Sequence, residues 1–256
     1  FDEKNDFVDL NNLVALDKWI LSELVILQAD LIELYKSYSF HHAIQRIHNF
    51  CVNQLGGIYL DIIKDRQYTT QQDSEIRRSA QTVMSIILEH LVIIVSPVLS
   101  FTAEEIWQGN DFLKTKAKSV FLASLSDLEN FESDLSKEDW SRLIKIKEEV
   151  NQSIEASRSQ GDIKGSLDAS ISLCLDSEDF KLVNKFASEI HFFLIVSECV
   201  ISEGNSLKIS VTKSEADKCI RCWHRNKSVG ASKDHPELCH RCIINIDGPG
   251  EDREFA

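Results

Sequence analysis

From Leu16 to Tyr38 the apolar residues Leu16, Trp19, Ile20, Leu24, Leu27, Leu31, Leu34, Tyr35 and Tyr38 recur every three or four positions, the spacing that lines one face of an α-helix. The same period resumes at Phe40 and continues through Ala43, Ile47, Phe50, Leu55, Tyr59 and Ile63. Gly56 and Gly57 weaken the middle of this second helix, and close packing against a neighbour would account for them. A third helix is expected from Asp73, as N-cap, to Val95, where Ser96-Pro97 stops it. Thr102 with Glu105 three residues on has the capping-box pattern that opens a fourth. Residues 1–108 therefore read as an antiparallel helical bundle.

Residues 109–135 break the period. Gly109, Asn110, a run of lysines (Lys114, Lys116, Lys118) and acids from Asp127 onward mark a linker. Ser136 with Asp139 opens another helix, which Gly161 closes. After it the period falls to two: Leu167, Ala169, Ile171, Leu173 and Leu175 alternate with polar residues, as on a half-buried strand, and Leu207–Val211 fits a second. Between them lies a helical stretch, Glu178–Ile190, running into the apolar Phe192–Val196, so 136–212 reads as a small α+β domain. The expected fold is mainly α, with the bundle followed by this domain and a module over 213–256.

Composition adds a few bounds. Hydrophobic residues are 43% and charged residues 27% of 256, as in ordinary globular chains. No uninterrupted apolar run approaches the roughly 20 residues of a membrane span, and the opening Phe1-Asp2-Glu3-Lys4 reads as a cut from a longer protein. Cys51, Cys174 and Cys199 sit singly among apolar neighbours, as buried thiols do in a reducing cytoplasm. A net charge of −13 argues against indiscriminate binding to nucleic acid but says little about any one face.

The chemistry concentrates near the C-terminus. Cys219 and Cys222 are two residues apart, as are Cys239 and Cys242; this spacing presents four thiolates to one tetrahedral zinc ion, a closed structural site. His224, His235 and His240 lie close by as substitute ligands. Trp223, flanked by Arg221 and Arg225, either stacks on a base beside phosphate-binding guanidinium groups or packs on the metal knuckle for want of another core. Lys64 and Arg66, at the polar end of a helix, either meet phosphates or complement the helix C-terminus. His41, His42 and His48 have no second cluster with which to complete a metal site. No phosphate-cradling loop and no nucleophile elbow is found.

Four stretches, Tyr59-Leu-Asp-Ile-Ile-Lys-Asp-Arg-Gln-Tyr68, Ser96-Pro-Val-Leu-Ser-Phe-Thr-Ala-Glu-Glu-Ile-Trp107, Gly165-Ser-Leu-Asp168 and Cys219-Ile-Arg-Cys-Trp-His224, with the ending Cys239-His-Arg-Cys242 through Phe255-Ala256, carry a resemblance. The chain resembles the C-terminal part of bacterial-type isoleucyl-tRNA synthetases. That family usually has bulkier residues at Gly56-Gly57. The resemblance implies an anticodon-binding bundle, a connecting domain and a zinc module over the anticodon stem-loop. It implies tRNA-Ile as partner, one structural zinc, and Arg221, Trp223, Arg225, Lys64 and Arg66 as RNA contacts. ATP and isoleucine would bind a domain upstream of Phe1, since the His-Ile-Gly-His and Lys-Met-Ser-Lys-Ser signatures are absent. A cytoplasmic monomer with no membrane association is expected. Two other readings are a zinc-finger DNA-repair glycosylase, against which stands the lack of an N-terminal proline (the first is Pro97), and a protein-interaction scaffold, favoured only by the acidic charge.

Overall fold

The apolar stripe of the first helix becomes α1 (Ala15–Lys36), which buries Leu16, Trp19, Ile20, Leu24, Leu27 and Leu31. It packs against α2 (Phe40–Asn49) and α4 (Glu75–Val95). A computed structural model describes residues 1–256 apart from 127, 129, 130, 132 and 134, and the chain forms two units. The first is Phe1–Asp61 with Glu75–Ser133, the second Ile62–Ser74 with Asp134–Ala256.

In the first unit one buried carboxylate ties three segments together. Asp17, fully buried on the first turn of α1, accepts hydrogen bonds from the Tyr59 hydroxyl at 2.8 Å and from the Ser79 hydroxyl on α4. Ser79 Oγ in turn accepts the Val14 N–H at 3.1 Å, so one of the donors orphaned at the start of α1 is satisfied from α4.

Beyond α2 the chain winds as a π-helix over Phe50–Leu60 before α3 (Asp61–Thr69). This explains Gly56 and Gly57, and the reason differs from the expected close packing. Both are exposed, and a Cβ on either would lie 3.0 Å from a carbonyl of its own helix, Cys51 O or Val52 O, five residues back. The glycines suit the wide turn.

By length and apolarity α4 meets the measure of a membrane span, which no uninterrupted run does, yet 56% of its apolar window is buried inside the protein, as in a core helix. Thr102 lies inside α5 (Ser100–Gly109), whose N-cap position is Leu99 with no side-chain cap, so the expected capping box does not form there. Residues 109–135 are less irregular than their composition implies: α6 (Asp111–Lys116) and a 3-10 turn at Val120–Leu122 occupy the first half. Leu113 and Val120 close a core cluster with Val92, Ala103 and Trp107, and the Trp107 indole donates to Ala117 O at 2.8 Å. Of the lysines that suggested a linker, Lys114 and Lys118 are exposed, while Lys116 turns its ammonium onto Glu89 of α4; the acidic run falls largely outside the described residues.

In the second unit α7 (Lys137–Gln160) has the expected Ser136–Asp139 capping box and ends on Gly161 at φ +85°. It packs on a three-stranded sheet ordered β2-β1-β3, in which β1 (Ala169–Leu175) is central, parallel to β2 (Glu198–Glu203) and antiparallel to β3 (Lys208–Lys213). The helices α8 (Ser177–Asn184) and α9 (Ile190–Leu194) fill the β1–β2 crossover, and β2 is the strand that periodicity did not reveal. The last residues fold back onto this domain. Phe255, fully buried, stacks on Phe186 with centroids 3.9 Å apart and lies nearly parallel to Trp140 at 5.7 Å. The Glu189 carboxylate accepts the N–H groups of Glu254, Phe255 and Ala256, each at 3.0 Å.

Asp65, on α3, meets two guanidinium groups from the C-terminal region. Arg241 grips it through two bonds of 2.7 and 2.9 Å, and Arg253, whose side chain is 1% exposed, pairs with the same carboxylate. Glu251 accepts from both arginines at 3.2 and 3.0 Å. Burial by itself would raise the Asp65 pKa; the two guanidinium groups outweigh it and hold the carboxyl well below the usual carboxylate range.

Asp17→Ala should destabilise the first unit by about 1–3 kcal/mol, because two buried hydroxyls lose their acceptor; urea unfolding followed by helical circular dichroism measures it. Asp65→Asn should cost the second unit about 3–5 kcal/mol by leaving buried guanidinium charge uncompensated. A carboxyl held below its unfolded value stabilises above that value. The difference between wild type and Asp65→Asn should therefore be full above pH 3.8 and shrink as pH falls below it.

Candidate zinc centre and nucleic-acid interface

Two short elements bring the cysteines together. In the first, the Trp223 N–H bonds Cys219 O at 3.0 Å and the Cys219 N–H bonds His224 O at 2.9 Å, closing a tight knuckle from Cys219 to Cys222. In the second, Cys239 is the N-cap of α10 (His240–Asp247) and Cys242 lies in its first turn. All four sulfurs are buried and lie within 4.8 Å of one another, with Cys222 and Cys239 Sγ 3.7 Å apart. Zinc–sulfur bonds of about 2.3 Å in a tetrahedron put sulfurs roughly 3.8 Å apart, so the cluster fits that ion.

The chemistry of the donors agrees. Hydrogen bonds from Cys239 and Cys242 hold the Cys222 thiol well below its ordinary range, while the same sharing pushes Cys239 up to about 11. A cation placed among the sulfurs favours the thiolate form of its ligands. Among the described residues, Val229 and Leu238 add apolar packing around them. The neighbouring histidines are otherwise placed: His224 Nδ1 lies 3.3 Å from Cys222 O, His235 Nε2 lies 2.7 Å from Asp247 Oδ2, and His240 is exposed.

The five residues expected to touch RNA separate into two groups. Arg66 is fully buried and cannot reach a ligand. Arg225 is turned inward: its Nε bonds Asp168 Oδ1 at 2.7 Å and its Nη1 bonds Ala216 O at 3.1 Å, which assigns the Gly165–Asp168 stretch a structural role. Asp168 is correspondingly held below the usual carboxylate range, chiefly by that bond. Arg221 is half-buried and donates to Thr69 O, the last residue of α3. Lys64 is exposed. Trp223 is 61% exposed, so it does not serve as core for the knuckle.

Trp223 also has φ +66°, a left-handed conformation that costs a non-glycine residue about 1–2 kcal/mol. Lys218 Nζ lies 5.6 Å from its ring centroid. The knuckle thus presents an exposed indole from a left-handed backbone, with a cation beside it. The residues that seat the knuckle, Asp65, Arg241, Arg253 and Arg225, carry no spacing signal; Asp65, Arg241 and Arg253 lie inside the stretches that carry the resemblance, but nothing local pairs them.

The purified protein should contain one zinc per chain by mass spectrometry. A strong chelator should unfold residues 213–256, seen as protease cleavage there, while the helical signal of the first unit persists.

The residues 17–173 match the family model described as the anticodon-binding domain of tRNA ligase, and 216–244 match the zinc finger found in FPG and IleRS. Curated relatives aligned over the whole chain include isoleucine--tRNA ligases of Teredinibacter turnerae (43% identical) and Psychromonas ingrahamii (43%). Another, from Shewanella pealeana, is 40% identical. The chain spans 28–29% of the length of these three relatives. The four cysteines hold one structural zinc ion in the finger of that second match. With more than half of its length matched by the first model, the chain belongs to the anticodon-binding domain family of tRNA ligases.

Proposed function

We propose that this chain is the tRNA-reading part of a class I ligase that charges tRNA-Ile with isoleucine at the expense of ATP. The amino acid and ATP bind elsewhere in the enzyme, in the length that the relatives have and this chain does not span. The chain contributes no catalytic group; it binds the anticodon stem-loop and works in the cytoplasm as a monomer. The observation that carries this reading is Trp223: an exposed indole held in a left-handed conformation by a zinc knuckle, with Lys218 beside its face. An unpaired base stacks on such a ring. Lys64 and Arg221 remain candidates for phosphate contacts, whereas Arg66 and Arg225 act inside the protein.

A finger of this kind is described for FPG as well as for IleRS, so it does not by itself separate a ligase from a DNA-repair enzyme. The anticodon-binding match over 17–173 favours the ligase, and it also favours RNA over a purely protein-binding scaffold.

In a filter-binding titration, the chain should prefer isoleucine tRNA to the same tRNA with an exchanged anticodon. Trp223→Ala should weaken binding by about 1–3 kcal/mol. Equal affinity for the two tRNAs would sink anticodon reading.

A further inference from the structure

The α1–α2 corner of the first unit repeats, without a metal, the device seen at Trp223. The C-terminus of α1 is a Schellman motif: the Tyr38 N–H bonds Tyr35 O at 3.1 Å and the Ser39 N–H bonds Leu34 O at 2.8 Å. That motif places its C′ residue in the left-handed region, where glycine is strongly preferred. Here the position holds Tyr38, at φ +55°. Its side chain is 81% exposed, so burial does not offset the backbone strain. Strain of this kind at an exposed aromatic residue marks a surface kept for a ligand.

The surroundings name the ligand's chemistry. Phe40, 45% exposed, sits edge-on to Tyr38 with centroids 6.1 Å apart. The His41 and His42 rings follow, exposed and 3.8 Å apart, with His42 Nδ1 2.8 Å from Ser39 Oγ. In a chain with 41 acidic residues, none lies between Glu33 and Asp61. Arg46, the nearest arginine on α2, is held by Asp30 at 2.9 Å. The corner therefore offers rings and imidazole edges with little net charge, which suits nucleobases better than phosphates. It also lies within the matched residues 17–173.

We infer that Tyr38, with Phe40, His41 and His42 around it, is a second base-stacking platform, on which an unpaired RNA nucleotide rests. The inference rests on the RNA-binding function proposed above. Each unit then presents one strained, exposed aromatic ring to the RNA. Because the corner binds through stacking, it adds to affinity while adding little to its salt dependence.

The test uses the whole chain and an RNA hairpin bearing the isoleucine anticodon loop, with a blunt duplex of the same stem as control, by fluorescence anisotropy. Tyr38→Gly removes the ring and also the strain, so its thermal midpoint should rise, and a loss of binding cannot then be ascribed to misfolding. Its affinity for the hairpin should fall roughly five- to 150-fold, with the duplex unaffected, the salt slope unchanged and Tyr38→Phe close to wild type. If Tyr38→Gly binds the hairpin as tightly as wild type while Trp223→Ala does not, the platform is wrong and the RNA-binding reading survives. If the wild-type chain fails to bind the hairpin, that reading falls and the platform with it.

Discussion

The second unit depends on a carboxylate that two guanidinium groups share. Asp65 comes from a helix early in the chain, Arg241 from the helix that supplies two zinc ligands, and Arg253 from the tail. A buried charge of either sign, taken alone, would be expensive, and each is tolerable because the others are present. Phe192 lies under both arginines, with the guanidinium carbons 4.9 and 3.6 Å from its ring centroid. The zinc module has little core of its own, and this ion cluster, the Arg225–Asp168 pair, the Arg221 bond to Thr69 O and the buried Phe255 together seat it in the unit.

Zinc and the Schellman motif solve the same problem by different means. An aromatic ring offered to a base must be exposed, and an exposed ring contributes little to folding. Holding it in one orientation then requires a backbone that cannot relax. Beside Trp223 the four-cysteine cluster, with the zinc ion it fits, frames the knuckle; at Tyr38 the end of a 22-residue helix does the same. Each site stores strain against a locally stable frame.

Much of this was legible from residue spacing. Helical periods located α1, α2, α4 and α7, alternation located β1 and β3, and the cysteine pairs located the buried thiol cluster. The misses have physical causes. The π-helix leaves no mark that α-helical counting would detect, apart from two glycines that invite another explanation. In β2 the apolar residues Cys199, Val200 and Ile201 are consecutive, so no alternation shows, whereas β3, of the same length, alternates. Residues 109–122 look polar because Lys114 and Lys118 are exposed and Lys116 is paired with Glu89, while Leu113 and Val120 pack inward. Arg66 and Arg225 look like phosphate ligands because sequence shows their charge and not their burial. The Asp65 cluster joins positions too distant for any local pattern to connect.

The order in which the residues are made gives that distance a temporal meaning. Asp65 and Arg253 are 188 positions apart. At about 5–20 residues per second, roughly 10–40 s of synthesis separate them. Throughout that interval α3 is complete while the second of its two arginine partners does not yet exist. The carboxylate must wait in water, and α3 cannot be buried beside the zinc module until nearly the last codon of this stretch has been read.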